Sequence, residues 1–265
     1  MLELYQFEGS HYSEKVRLIL DYKQLAYRKV EVTPGIGQID LYRLSGQRQV
    51  PVLKDDNEVI PDSTAIAKYL EEKYPQRSIV PTAARAQGLC LMMEAWADES
   101  IGLNARTAMI GAFNQHPNFR ASLLPASTPE LLKNLVSSVP GDVLNLLGTG
   151  MGFGADAVKT AHVVLQQNLE ALCLLLQESP YLLGDQPTLA DFAVAGLSMY
   201  LKFPDQQYVD LPVGICGRGV PGLADDPAYR PFFSWRDRLY ADYREVRIPA
   251  AVETVGPGPQ SISID

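Results

Sequence analysis

Strand-like patterning in this chain stops at Tyr74-Pro75, and the remainder reads as helix; no other feature limits the possible folds as much. Leu2 to Phe7 is short, apolar and aromatic, which predicts a strand. Gly9 and Ser10 break it. From Tyr12 the apolar residues Val16, Leu18, Ile19 and Leu20 predict a helix, with Lys15 and Arg17 among them. Tyr27 to Val32 predicts a second strand, and Pro34, Gly35 and Gly37 mark a loop. Val50 to Leu53 reads as a third strand. The polar turn Lys54-Asp55-Asp56-Asn57 hairpins it to a fourth, Glu58-Val59-Ile60. Ser63 to Lys73 is helical, with Ala65, Ile66, Tyr69 and Leu70 on one face. The order is βαβ, then ββα.

Beyond Pro75 the Leu- and Ala-rich sequence predicts helices over Ala83 to about Gly111, Asp156 to about Gln177, from Thr188, and Phe232 to about Arg244. The expected fold class is therefore α/β followed by all-α. The expected division is an α/β domain over 1–76, a linker over 77–86 and a helical domain over 87–247. The segment 248–265, with Pro, Gly and Ser and little apolar pattern, is expected to be loosely held. The segment at about 116–155 carries its own apolar series, including Leu131, Leu135, Val139, Val143 and Leu147. Gly148 to Gly154 looks superficially like a nucleotide loop, but Phe153 stands where GxGxxG needs its last glycine, and there is no Walker lysine. It reads as a connector.

The 265 residues are 46% hydrophobic and 20% charged, enough for a substantial core without disulfides. A net charge of -8 argues against nucleic acid and anionic membranes as partners. Cys90, Cys173 and Cys216 form no CxxC pair, which fits three reduced thiols in a reducing compartment such as the cytoplasm. The N-terminus has no basic region followed by an apolar stretch, so no secretory signal is expected. No apolar run approaches membrane-spanning length. His11, His116 and His162 lack ligand spacing, so no metal site is expected.

Four segments carry a family resemblance. Gly9-Ser10-His11-Tyr12-Ser13-Glu14-Lys15-Val16-Arg17 resembles the strand-to-helix turn of glutathione transferases. Gln49-Val50-Pro51-Val52-Leu53 resembles their cis-proline segment. Asp62-Ser63-Thr64-Ala65-Ile66, with Tyr69-Leu70 after it, resembles their acidic-Ser-x-Ala-Ile motif. Leu183-Gly184-Asp185-Gln186-Pro187-Thr188-Leu189-Ala190-Asp191 resembles a helix-capping segment of their second domain. The four occur in the family's order and leave out only the 116–155 segment, which departs from the usual family length, and the tail. The fold this implies is a thioredoxin-like domain followed by a helical bundle.

The resemblance also implies roles. A helix N-terminus presents unpaired N–H groups and partial positive charge, which stabilise a thiolate. Ser10 would donate its hydroxyl to the sulfur of glutathione, although serine is also simply a good N-cap. Tyr12, Ser13 and Tyr5 compete for that role, and His11 reads as a pocket wall or a surface residue. A cis bond before Pro51 would free the backbone of Val50 to pair with glutathione as an added strand does. Ser63, at a helix start, would bind the γ-glutamyl carboxylate, and Asp62 the ammonium. Arg48 and Gln49 would reach glutathione's carboxylates. Asp98, flanked by Glu94 and Glu99 on what otherwise reads as a solvated helix face, would approach glutathione bound to a partner subunit. Thr188-x-x-Asp191 has the form of a capping box and serves folding.

The function this implies is glutathione S-transfer to a small hydrophobic electrophile by a homodimeric enzyme, with glutathione as co-substrate. Met92, Met93, Met109 and Phe113 are candidate walls for the electrophile. Glutathione-dependent peroxidase or isomerase chemistry stays open, as does a non-catalytic binding or assembly module on the same fold. Thiol–disulfide exchange is disfavoured, because a serine at position 10 cannot form a mixed disulfide.

Overall fold

The computed structural model describes residues 1–33, 37–117, 138 and 154–246. Four strands form one mixed sheet in the order β2-β1-β3-β4: β1 (Leu2–Gln6), β2 (Tyr27–Glu31), β3 (Val52–Asp55) and β4 (Glu58–Pro61). β1 runs parallel to β2 and antiparallel to β3, and β3 is antiparallel to β4. The parallel pair needs a crossover, supplied by α1 (His11–Tyr22). Alternation along β1 sends Leu2 and Leu4 to the main core with α1 and with Ile66 and Leu70 of α3 (Ser63–Lys73). Tyr5 goes to the opposite face, where it packs on Val32, Leu41 and Val52.

Leu41 belongs to α2 (Gly37–Ser45), which the sequence did not announce. It is the only buried residue of that helix, so the periodic signal is too thin to separate it from the loop expected around Pro34, Gly35 and Gly37. Gly37 opens the helix, while Pro34 and Gly35 lie outside the described residues.

The later helices are α4 (Ala84–Trp96), α5 (Leu103–Gln115), α6 (Ala155–Glu178), α7 (Leu189–Leu197) and α8 (Arg230–Tyr243). The single long helix expected over Ala83 to Gly111 is real in extent, but a π-helical stretch, Ala97–Gly102, separates α4 from α5. α7 is capped as expected: Asp191 accepts from the Thr188 N–H and hydroxyl, each at 2.8 Å, and also from the Leu182 N–H at 2.8 Å. The apolar residues expected to form a helical series at 131–147 and the tail from 248 lie outside the described residues. Cys90, Cys173 and Cys216 are free thiols. Among the described residues no helix is long and apolar enough to cross a membrane.

α1 lies between the sheet layer and the later helices and is buried all round, charged residues included. α7 meets it nearly backbone to backbone: a Cβ on Gly196 would come within 2.6 Å of the Lys15 backbone, so only glycine fits. Buried charges on α1 are paired, as their desolvation demands. Arg17 pairs with Glu8 and Glu14, and Arg244, beyond α8, pairs with Glu14 and Asp21.

Candidate functional site

The turn from β1 into α1 is a tight one. Ser10 N–H donates to the Phe7 carbonyl at 2.8 Å, and a Cβ on Gly9 would approach the Phe7 ring to 2.8 Å. Ser10 then caps α1, its Oγ accepting the Ser13 N–H at 3.2 Å. That bond uses a lone pair and leaves the hydroxyl hydrogen to donate elsewhere. Ser10 lines a cavity of about 240 Å³ together with Phe7, His11, Tyr12, Arg48, Gln49, Val50, Arg106 and Tyr200.

A second cavity of about 260 Å³ adjoins it and shares Tyr12, Gln49, Val50 and Arg106. Its other walls include Pro51, Asp62, Ser63, Asp98 and Glu99. The Val50-Pro51 bond is cis. Asp62 caps α3, its Oδ1 accepting the N–H groups of Thr64 and Ala65 at 2.9 and 3.0 Å. It does so from a left-handed conformation, φ 73°. Ser63, the first residue of α3, is buried against the cavity. The residues expected around glutathione, Tyr12, Arg48, Gln49, Val50, Pro51, Asp62, Ser63 and Asp98, therefore all lie with Ser10 on the walls of these two joined cavities.

The competing sulfur ligands are placed differently. Tyr5 lines neither cavity, because strand alternation turns it toward Leu41 and Val52. Ser13 is fully buried, and its hydroxyl has no partner among the described residues. Tyr12 is at the site, but its hydroxyl donates to the Asp98 carbonyl at 3.1 Å, and burial pushes its pKa up to about 12. His11 forms wall and not base. Burial lowers its pKa to about 3, so it is neutral, and its Nε2 lies 3.1 Å from the Gly102 carbonyl.

The face around Asp98 departs from expectation. Glu94 is 3% exposed and forms no part of a solvated surface. The fully buried Lys15 ammonium lies 2.5 Å from Glu94 and 2.8 Å from Asp98. The Thr64 hydroxyl sits against both carboxylates, so α1, α3 and the α4–α5 junction meet at one polar knot. Asp98 faces the cavity, yet its carboxylate is already engaged by Lys15 and Thr64 of the same chain. Burial raises its pKa even with Lys15 opposing.

The π-helical stretch explains why that junction serves the site. A π turn interrupts the regular i to i−4 ladder, and the carbonyls at its two ends, Asp98 and Gly102, receive Tyr12 and His11 from α1.

Met92, Met93, Met109 and Phe113 line neither cavity. Met92 is largely exposed, and the other three pack against the main core. Arg106 and Tyr200 line the site instead, and neither carries a local signal in the sequence. Among the described residues no cluster of His, Cys, Asp and Glu suits a metal ion.

Residues 4–78 match the family model described as glutathione S-transferase, N-terminal domain. A zeta-class glutathione S-transferase from Euphorbia esula is 40% identical over 83 residues, 30% of this chain and 37% of that protein. The chain spans 37–38% of the length of the first curated relatives it matches. A probable maleylacetoacetate isomerase from Caenorhabditis elegans is 28% identical over 85% of this chain and 90% of its own. Among solved structures, beta-etherase LigF from Sphingobium sp. strain SYK-6 superposes with a TM-score of 0.65 at 21% identity, covering 91% of this chain and 95% of that one. Residues 4–78 therefore form a glutathione S-transferase N-terminal domain, and the chain as a whole shares the two-part fold of these solved structures.

Proposed function

We propose that the protein binds glutathione across the two joined cavities and activates its thiol for attack on an electrophile. The observation that carries this reading is Ser10: an N-cap whose hydroxyl oxygen is held by the Ser13 N–H while its hydrogen is left to donate into the cavity. A thiol of pKa ~8.5 must be lowered by roughly two units to be mostly ionised at neutral pH, about 2.7 kcal/mol of preference for the anion. One hydroxyl bond to a charged acceptor plus a helix N-terminus is of that size. Val50 would pair with the cysteinyl backbone. Ser63 and the start of α3 would hold the γ-glutamyl carboxylate, and Asp62 would face the ammonium.

Calorimetric titration with glutathione, then the same measurement on Ser10→Ala beside its turnover, tests this. The variant is expected to keep its affinity for glutathione and lose ten-fold or more in turnover, about 1.4 kcal/mol. An unchanged rate would remove Ser10 from the mechanism. If the folded wild-type protein does not bind glutathione, a non-catalytic module becomes the better reading.

A second reading, isomerisation, is favoured by the charge of the walls. The Ser10 cavity carries Arg48 and Arg106 and, among the described residues, no acidic side chain, whereas its neighbour sets Asp62, Asp98 and Glu99 against the shared Arg106. A basic compartment suits an electrophile bearing a carboxylate better than a purely hydrophobic one. The thiolate would add to a conjugated double bond, forming a C–S bond. After rotation about the former double bond it would be expelled, regenerating the thiolate. A relative named as a probable maleylacetoacetate isomerase accords with this. Turnover of 4-chloro-3,5-dinitrobenzoate against its methyl ester, in wild type and Arg106→Leu, reports whether the acceptor site reads a carboxylate.

A further inference from the structure

The peptide joining Gly9 to Ser10 is held at both of its polar ends. Its N–H, on Ser10, donates to the Phe7 carbonyl at 2.8 Å. Its carbonyl, on Gly9, accepts the Tyr200 hydroxyl at 2.7 Å. The first bond is local. The second comes from 191 residues away, from the 3-10 turn Ser198–Tyr200 that ends α7.

Pinning a peptide plane at both ends fixes its orientation, and the plane before a residue sets where that residue's Cβ points. For Ser10 the consequence is direct, because φ -83° and ψ 117° place it outside the helix, and the helical ladder holds it only through its carbonyl, which accepts the Glu14 N–H at 2.9 Å on the far side from the Gly9–Ser10 peptide. Its hydroxyl oxygen is then held by Ser13. What remains undetermined is only the direction of the hydroxyl hydrogen.

Tyr200 is itself firmly seated. Its ring lies 4.3 Å from that of His11 and 6.0 Å from that of Phe203, and it shares the cavity wall with Ser10. Burial pushes its phenol up to about 12, so it stays protonated and remains a donor at any ordinary assay pH. The phenol points at a backbone carbonyl, which can only accept, so the bond has one polarity.

We propose that Tyr200 is a positioning residue for Ser10: from the helical half of the molecule it holds the Gly9 carbonyl, and so aims the Ser10 hydroxyl at the sulfur of bound glutathione. This rests on the thiolate reading of the site. It adds a residue that acts on Ser10 through the Gly9 carbonyl and makes activation depend on α7 being docked on α1.

The test is Tyr200→Phe, which keeps the ring and removes the one oxygen. The thiol pKa of bound glutathione is read from thiolate absorbance against pH, beside kcat and KM. Tyr69→Phe is the control, because Tyr69 also gives a half-buried hydroxyl to a distant partner, Asp55, at 2.9 Å, away from both cavities. The expected result in Y200F is a thiol pKa raised by roughly half to one unit and a three- to ten-fold fall in kcat, with KM for glutathione within two-fold. Y69F should leave both unchanged. A Y200F thiol that titrates as in wild type overturns the proposal, even if the variant is less stable. If the wild-type complex itself shows an unshifted thiol, the thiolate reading falls and takes this inference with it. Should Y200F be too unstable at 25 °C, the same titration at 10 °C in sucrose, which favours the folded state, decides between these results.

Discussion

The Tyr12 hydroxyl donates to the main-chain carbonyl of Asp98 at 3.1 Å, tying the first turn of α1 to the π-helical start of the α4–α5 junction. A tyrosine at the mouth of a thiol site invites a role at the sulfur. This one is committed to a carbonyl, and burial first, then the charge of Asp98, pushes its pKa up to about 12. Tyr12→Phe should therefore leave the pH–rate profile where it is and lower stability by about 1 kcal/mol in urea unfolding. A displaced profile would make Tyr12 the sulfur ligand and demote Ser10.

Lys15 is fully buried between Glu94 and Asp98. Removing it strands two carboxylates in a poorly solvated place. Lys15→Met should cost about 3–5 kcal/mol in chemical denaturation. Adding Glu94→Met should recover part of that loss, because the second change removes one of the stranded charges. Strictly additive losses in this double-mutant cycle would mean the knot holds nothing together.

His11 gives a pH prediction with a definite sign. Burial, chiefly, lowers its pKa from 6.5 to about 3 in the folded protein, and the Arg106 charge adds to the effect. The unfolded chain then binds a proton below pH 6.5 that the folded chain refuses. Stability attributable to His11 is complete above pH 6.5 and is lost as pH falls toward about 3. Between pH 7 and pH 5 the loss is about 2 kcal/mol. His11→Gln keeps a donor for the Gly102 carbonyl, so its stability should fall less steeply over that interval. Parallel curves for wild type and variant would place the acid sensitivity elsewhere.

What was legible in the sequence is what short range encodes. The caps at Ser10 and Thr188, the start of α3 at Asp62-Ser63 and the four strands each declare themselves within a few residues, because turn, cap and alternation are local physics. The residues missed share the opposite property. Lys15 and Glu94 are 79 residues apart, and Tyr200 and Gly9 are 191 apart. Glu94 and Asp98 read as a solvated face because two acids on an amphipathic stretch usually are one. Only the packing of α1 against the α4–α5 junction, which puts a buried ammonium opposite them, reverses that reading. The electrophile walls were misplaced for a related reason: helix and face say which side is apolar, not which apolar side is covered. Met93, Met109 and Phe113 pack half-buried against the core, while the cavity took Arg106 and Tyr200.

Asp62 separates a folding role from a binding role within one side chain. Its Oδ1 accepts from Thr64 and Ala65, satisfying two of the open N–H groups of α3. Its φ of 73° is one that Asn adopts as readily as Asp. Asp62→Asn therefore keeps the cap oxygen and the backbone geometry and removes only the charge. Asp62→Ala loses all three, at about 1 kcal/mol for the cap plus the strain of a left-handed alanine. If the carboxylate faces the γ-glutamyl ammonium, the Asn variant should unfold at the wild-type temperature within a degree or two and bind glutathione five- to thirty-fold more weakly, about 1–2 kcal/mol. The Ala variant should add a fall in Tm to that loss. Wild-type affinity in Asp62→Asn would leave Asp62 as a cap alone and move the ammonium toward Glu99 or Asp98, the remaining acids of that cavity.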